Sequence, residues 1–231
     1  MQRGRNFDIA MRDGRKLPVE LIAKPGARAP GVVMIPPIFG LGDDERAIAW
    51  DYANEGYPVL VPDLFFRLLP GPLGREGADR DKAQERNKNF AVEQGMSDLA
   101  DAVAAFRKLP ESNGKAIVCG YCFGGRYAFL GVARGIIDGA VSFHGSKIGL
   151  SLNEAVNVRS PLQIHVGDKD ASIPMEEVER TKAALAGNPL ASVHIYAGAT
   201  HGFTGKGRPS FHEIADSSSR AGALKLLGSL R

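Results

Sequence analysis

The chain has 231 residues, of which 44% are hydrophobic and 24% are charged. These fractions are typical of a globular protein, and they exclude disorder, collagen-like repetition and coiled coil as descriptions of the whole chain. The net charge is +3, and the 29 basic and 26 acidic residues are interleaved along the chain. Because a nucleic-acid interface needs basic residues clustered on one face, the composition argues against that function.

A chain of this length fits one large domain, and we predict a single domain over residues 1–231. No apolar run approaches the ~18 residues of a membrane span, and the first residues lack the apolar core of a secretory signal. The two cysteines are too few for a disulfide framework, which favours a reducing, cytoplasmic location. We therefore expect no nucleic-acid or membrane partner, and a monomer or a homodimer.

Strands and helices alternate along the predicted chain. The predicted strands are 7–12 and 17–23, which form a hairpin around Asp13-Gly14, and then 31–35, 57–61, 115–119, 139–143, 162–166 and 192–196. The predicted helices are 43–54, 79–107 with a break near Gly95, 122–134, 176–185 and 214–230. This alternation predicts an α/β fold with a mostly parallel central sheet and helices on both faces. In such sheets the chemistry lies at the C-terminal ends of the strands.

The sequence Gly-Tyr-Cys-Phe-Gly-Gly at residues 120–125 follows a predicted strand and opens a predicted helix. It matches the G-x-S-x-G nucleophile elbow, with Cys122 in the position of the serine. Gly120 and Gly124 avoid Cβ clashes in the sharp turn, and the start of the helix supplies backbone N–H groups and a positive dipole end. That environment favours a thiolate, the reactive form of a cysteine. The motif therefore predicts a cysteine nucleophile.

A nucleophile of this kind needs an acid and a histidine later in the chain, each in a loop after a strand. Asp168 and Asp170 both follow the strand 162–166, and His201 follows the strand 192–196. Position alone leaves both acids open as candidates.

The other four histidines are weaker candidates. His165 and His194 lie within predicted strands, which indicates packed or edge residues. His144 follows a strand end and is expected to border the pocket, and His212 lies in the C-terminal tail. Only His201 has the loop position that a catalytic base requires.

Five motifs together resemble a known family. They are Ile38-Phe39-Gly40, Pro62-Asp63-Leu64, residues 120–125, Asp170 with Ile173-Pro174 after it, and His201 within residues 198–203. This set is similar to that of the dienelactone hydrolases (carboxymethylenebutenolidases), cysteine-dependent members of the α/β-hydrolase superfamily, over nearly the whole chain. The resemblance implies an α/β-hydrolase fold and hydrolysis of small-molecule lactones or esters through a thioester acyl-enzyme. It implies no metal and no organic cofactor.

The resemblance also implies a role for each site residue. Cys122 is the nucleophile, His201 the general base, and Asp170 the acid, because the family's acid is closely followed by an apolar residue and proline. The oxyanion hole consists of the backbone N–H groups of Phe123 and Ile38, since one donor follows the nucleophile and one follows the first core strand.

The sequence departs from the family pattern at two places. Pro37 stands where family members commonly carry a glutamate that contacts the resting nucleophile. The family's dienelactone enzymes hold the substrate carboxylate with two arginines. Arg80 is one candidate, but the second position is Gly205, with Lys206 beside it. We predict Pro37, Arg80 and Lys206 as substrate-binding positions, and we expect neutral esters and lactones to be accepted better than by a dienelactone specialist.

Two other functions fit parts of the sequence. Cys119 and Cys122 form a C-x-x-C, which is typical of thiol-disulfide oxidoreductases, although Cys119 falls on an apolar strand. A hydrolase-like domain that binds a ligand without catalysis is the other alternative, because Pro37 removes a carboxylate from the site.

Overall fold

The computed structural model of the protein describes residues 3–231. The chain forms two compact units, Met1–Ala116 and Ile117–Arg231. Strand β5, Ser112–Tyr121, crosses the boundary between them. The single domain expected over residues 1–231 remains a prediction.

The first unit is built around a hairpin and a short parallel pair. Its elements are β1 (Arg5–Ala10), β2 (Lys16–Ile22), β3 (Ala29–Ile35), α1 (Asp43–Asn54), β4 (Val59–Pro62), α2 (Gly77–Lys88) and α3 (Val92–Phe106). Strands β1 and β2 form the predicted antiparallel hairpin, β2 is antiparallel to β4, and β3 is parallel to β4. Strand β3 is buried throughout, and the two prolines that follow end it because they lack an N–H donor.

The second unit contains the parallel part of the fold. Its elements after β5 are α4 (Phe123–Ala133), β6 (Gly139–Phe143), a 3₁₀ helix (Ile148–Asn157), β7 (Leu162–Gly167), α5 (Met175–Leu185), β8 (Ala191–Tyr196) and α6 (Glu213–Gly228). Strands β5, β6, β7 and β8 pair in that order, all in parallel.

Helices cover both faces of strand β6 in the second unit. Ser142 faces Gly125 of α4, whereas Gly139 faces Leu226 of α6. Residues an odd number of positions apart point to opposite faces of a strand, so α4 and α6 lie on opposite sides. The predicted parallel sheet with helices on both faces is therefore confirmed here.

The structure corrects one predicted helix. The region 79–107 is two helices, but the break lies between Lys88 and Val92, not at Gly95. Gly95 is inside α3, where an added Cβ would collide with the ring of Phe90. The glycine lets Phe90 pack closely against the helix and does not interrupt it. The 3₁₀ helix was not predicted, because its tighter winding lacks the 3.6-residue period.

Across the part of the chain that the structure describes, no helix has the length and apolar character that a membrane crossing requires.

Candidate active site

Cys122 occupies a sharp turn between the end of β5 and the start of α4. Its φ is 53° and its ψ is −108°, a combination that residues with a Cβ rarely adopt and that is typical of functional positions. The Cys122 N–H donates to the Phe143 carbonyl over 3.0 Å, and the Cys122 carbonyl accepts from the N–H groups of Gly125 and Ser146 at 3.1 and 3.0 Å. Three backbone hydrogen bonds therefore hold the cysteine in this conformation.

Two glycines allow this turn to be so tight. A Cβ on Gly120 would collide with the backbone of Gly124, and a Cβ on Gly125 would collide with Gly145. Strand β5, helix α4 and the chain after β6 approach one another more closely than side chains permit. The close approach at Gly120 is one that the sequence motif indicates, and Gly125 adds a second one that was not predicted.

Asp170 and His201 meet at the ends of two neighbouring parallel strands. Asp170 follows β7, His201 follows β8, and the two strands pair in register. His201 Nδ1 lies 2.8 Å from Asp170 Oδ2. Asp170 is buried, and its Oδ1 accepts the Ser172 N–H at 2.8 Å. Both carboxylate oxygens are thus engaged, which fixes the direction of the bond to the imidazole.

Asp168, the other acid that position left open, has a different partner. Its Oδ1 accepts the Gly198 N–H at 2.7 Å, near the start of the loop that carries His201. Of the two acids, the one that contacts the imidazole is Asp170. The geometry therefore favours Asp170 as the residue that orients the histidine, as in Ser-His-Asp triads.

His201 lies between Asp170 and Cys122. Burial alone would lower the pKa of His201, but its hydrogen bonds to Asp170 and Cys122 outweigh burial and raise the pKa to about 10. At neutral pH the imidazole therefore holds a proton between a carboxylate and a sulfur. This arrangement brings together all three residues that the sequence predicts for catalysis.

The other histidines lie where the sequence predicts them. His165 and His194 are inside β7 and β8, with ring centroids 4.7 Å apart. His212 precedes α6, and its Nδ1 accepts the Ala215 N–H at 3.3 Å. His144 borders the candidate triad, as expected, with its ring centroid 4.9 Å from that of His201.

The remaining predicted site residues are divided between the two units. Phe123 is the first residue of α4, where backbone N–H groups point out of the helix end. Pro37 is buried and Ile38 half-buried just after β3, and Arg80 is exposed in the first turn of α2. Pro37, Ile38 and Arg80 belong to the first unit, and their roles in oxyanion and substrate binding remain predictions.

The loop after β3 is held by a residue that the sequence did not indicate. The buried Arg86 donates through Nε and Nη2 to the Ile38 carbonyl at 2.9 and 2.6 Å. Its Nη1 donates to the carbonyls of Leu69 and Gly71 at 2.7 and 2.9 Å. The guanidinium also lies 4.2 Å from the ring of Phe65. Arg86 thus ties the Ile38 loop to the segment after β4, and nothing in the sequence distinguishes it from the exposed Arg80 of the same helix.

The loop after His201 contains the predicted Lys206, which is exposed. A Cβ on Gly205 would lie 2.6 Å from Cδ of Arg208, so the side chain of Arg208 folds over the glycine.

The two cysteines differ in setting. Cys119 is buried inside β5, Cys122 is half-buried, and neither is in a disulfide bond. Among residues 3–231, no group of three or more His, Cys, Asp and Glu side chains is placed to hold a metal ion.

The sharp turn that carries Cys122 between β5 and α4, followed by an acid after β7 and a histidine after β8, is the arrangement of an α/β-hydrolase. Comparison with known proteins then gives the family. The model of the dienelactone hydrolase family matches residues 18–230, and the chain belongs to this family.

Individual relatives agree with the family assignment. The carboxymethylenebutenolidase of Pseudomonas putida is 34% identical over 187 residues, which cover 79% of each chain. Carboxymethylenebutenolidase 1 of Cupriavidus pinatubonensis is 28% identical over 97% of this chain and 96% of its own. The crystal structure of a Klebsiella pneumoniae protein assigned to the dienelactone hydrolases has a TM-score of 0.86 at 25% identity, covering 97% of both chains. The chain is therefore an α/β-hydrolase of the class that cleaves carboxylic esters and lactones.

Proposed function

We propose that this protein hydrolyses small-molecule lactones or esters with Cys122 as its nucleophile, through a thioester acyl-enzyme. The observation that carries the proposal is the position of His201, which contacts both Asp170 and Cys122. A histidine oriented by a carboxylate and bonded to a thiol is the arrangement that activates a cysteine nucleophile.

The first half of the reaction forms the thioester. His201 holds the thiol proton, and the Cys122 thiolate attacks the carbonyl carbon of the ester. The oxyanion is stabilised by the N–H group of Phe123 at the start of α4, and such a donor contributes several kcal/mol in a site that excludes water. When the C–O bond breaks, His201 gives its proton to the leaving oxygen, which becomes a hydroxyl group.

The second half restores the enzyme. His201, now neutral, takes a proton from water as the oxygen attacks the thioester carbonyl. The C–S bond breaks, the acid leaves, and the thiolate again faces a protonated His201. Asp170 keeps Nδ1 of the imidazole protonated throughout and stabilises the imidazolium.

An activated ester tests the proposal directly. Mixing the enzyme with p-nitrophenyl acetate should release a burst of p-nitrophenol, and peptide mass spectrometry should find the acetyl group on Cys122. Cys122→Ala should show no burst and no adduct. Cys119→Ala is the matched control, because Cys119 is buried in β5, and it should retain most of the turnover.

Other outcomes would contradict the proposal in distinct ways. Equal loss of turnover in the two folded variants would favour a C-x-x-C redox pair. A protein that binds lactones but forms no adduct and turns nothing over would be a binding domain. Turnover that survives in Cys122→Ala would assign the nucleophile to another residue.

A further inference from the structure

His144 has an unusual backbone conformation at the edge of the candidate site. It is the first residue after β6, and its φ is +40°, in the left-handed region that residues with a Cβ seldom adopt. Its N–H donates to the His165 carbonyl at 2.8 Å, so the pairing of β6 with β7 extends into this residue. Strain of this kind persists only where the surrounding structure fixes it, and it clusters at functional positions.

The buried side chain of His144 contacts the loop that carries His201. The two imidazole rings meet edge to face, with centroids 4.9 Å apart and planes at 68°. The ring of Phe203 is 5.2 Å away at 84°. Nε2 of His144 lies 3.2 Å from Oγ1 of Thr204, which is itself buried. His144 therefore touches three of the four residues from His201 to Thr204.

We propose that His144 is a positioning residue that holds His201 against Cys122 through its ring and through the hydroxyl group of Thr204. The proposal rests on the proposed role of His201 as the general base. Asp170 and Cys122 contact the imidazole of His201 at its edge, and edge contacts leave a ring free to tilt. The ring of His144 adds a third contact to the ring of His201, and the bond to Thr204 fixes the loop three residues further on.

The expected size of the effect follows from the geometry of proton transfer. A displacement of about 1 Å in a reacting group can lower a rate by ~100-fold. We expect His144→Phe to lower kcat by roughly tenfold to 100-fold and to leave KM within about twofold, since His144 is placed against the base and not assigned to the substrate.

Paired variants separate positioning from simple packing. His144→Phe keeps a flat ring but has no nitrogen for Thr204, whereas His144→Gln places an amide N–H near the position of Nε2. Thr204→Val removes the hydroxyl group and Thr204→Ser keeps it. The glutamine and serine variants should recover most of the kcat that the phenylalanine and valine variants lose. The double variant His144→Phe/Thr204→Val should be no slower than the slower single variant, because both changes break one bond.

Alkylation by iodoacetamide gives a readout that needs no substrate. Cys122 is half-buried and Cys119 buried, so the fast phase reports on Cys122. It should slow in His144→Phe and in Thr204→Val, and it should return toward the wild-type rate in Thr204→Ser.

Measurement of His201→Ala beside these variants separates the two proposals. Wild-type turnover in His201→Ala would overturn the proposed function. An inactive His201→Ala together with wild-type kcat and alkylation in His144→Phe would overturn the role of His144 alone. Equal rates in Thr204→Val and Thr204→Ser, or additive losses in the double variant, would also overturn it. If His144→Phe does not fold, the comparison of Thr204→Val with Thr204→Ser still tests the role of His144.

Discussion

One buried histidine should limit the stability of this protein in acid. His165 is 2% exposed in β7. Its Nδ1 lies 2.9 Å from the Tyr196 hydroxyl group, and its Nε2 lies 3.3 Å from Oε1 of Gln163. Burial, together with the charge of the neighbouring His194, lowers the pKa of His165 from 6.5 to about 3. The folded protein therefore keeps this ring neutral in mild acid.

The sign of the effect follows from which state binds the proton. Between pH 6.5 and about pH 3 the unfolded chain protonates His165 and the folded chain does not, so the free energy of unfolding decreases as the pH falls through this window. At about pH 4.5 the two pKa values correspond to a loss of ~3 kcal/mol relative to neutral pH. Below about pH 3 both states carry the proton and the loss stops growing.

Urea denaturation at about pH 7.5 and about pH 4.5 measures this loss. His165→Phe keeps a ring in the stack but takes up no proton, so its stability should change by ~3 kcal/mol less than that of the wild type between the two conditions. His194→Phe, which alters the stacked partner, is the matched control and should retain most of the acid sensitivity. The carboxylates titrate in all three proteins, so their contribution cancels when the changes in the free energy of unfolding are compared. Equal losses in wild type and His165→Phe would refute the reasoning.

The remaining predictions concern the acid, the Ile38 loop and the substrate. Asp170→Asn should lower kcat by ~10³–10⁴-fold, because the imidazole loses its orienting carboxylate, whereas Asp168→Asn still accepts a backbone N–H and should cost less than about tenfold. A larger loss in Asp168→Asn than in Asp170→Asn would assign the orienting role to Asp168. Arg86→Met should lower the free energy of unfolding by about 3 kcal/mol, because three carbonyls lose their donor, and Arg86→Lys should not restore the melting temperature. The ratio of kcat/KM for a carboxylate-bearing lactone to that for its methyl ester should be near one in wild type and in Arg80→Ala, since only one guanidinium anchor is expected. A large preference for the carboxylate-bearing lactone that disappears in Arg80→Ala would contradict this prediction.

The fold could be predicted from the sequence wherever the hydrophobic pattern and the turn residues indicate the same boundaries. Strand 139–143 has the bounds of β6, and the hairpin around Asp13-Gly14 is present. The pattern failed where tertiary contacts decide the outcome. Gly95 marks a close approach of Phe90 and not a helix break, and a sequence does not distinguish these two uses of glycine.

The candidate triad was predictable because its three members lie in loops after strands, in a fixed order along the chain. Position along the chain leaves both acids open, since Asp168 and Asp170 occupy the same turn. The resemblance favours Asp170, and the 2.8 Å distance from Asp170 to His201 agrees with it. Arg86 and Thr204 were missed for a related reason. No sequence pattern indicates that an arginine in a polar helix or a threonine in a loop is buried. The roles of Arg86 and Thr204 become visible only from their contacts, which are to backbone carbonyls for Arg86 and to the imidazole of His144 for Thr204.

The loop after β8 also bears on how substrate range could change in evolution. Beyond Thr204 the chain returns to the residues around His201. The Ser210 hydroxyl group donates to the Gly202 carbonyl at 3.1 Å, and the Phe203 carbonyl accepts the His212 N–H at 3.0 Å. Residues 205–211, which include Lys206, thus form an excursion whose two ends are fastened together. Lengthening a closed surface loop costs little entropy, and such tips are where insertions are tolerated. Selection or a protein engineer can therefore vary the length and charge of residues 205–209 while Ser210 and His212 keep the chain next to His201 in place.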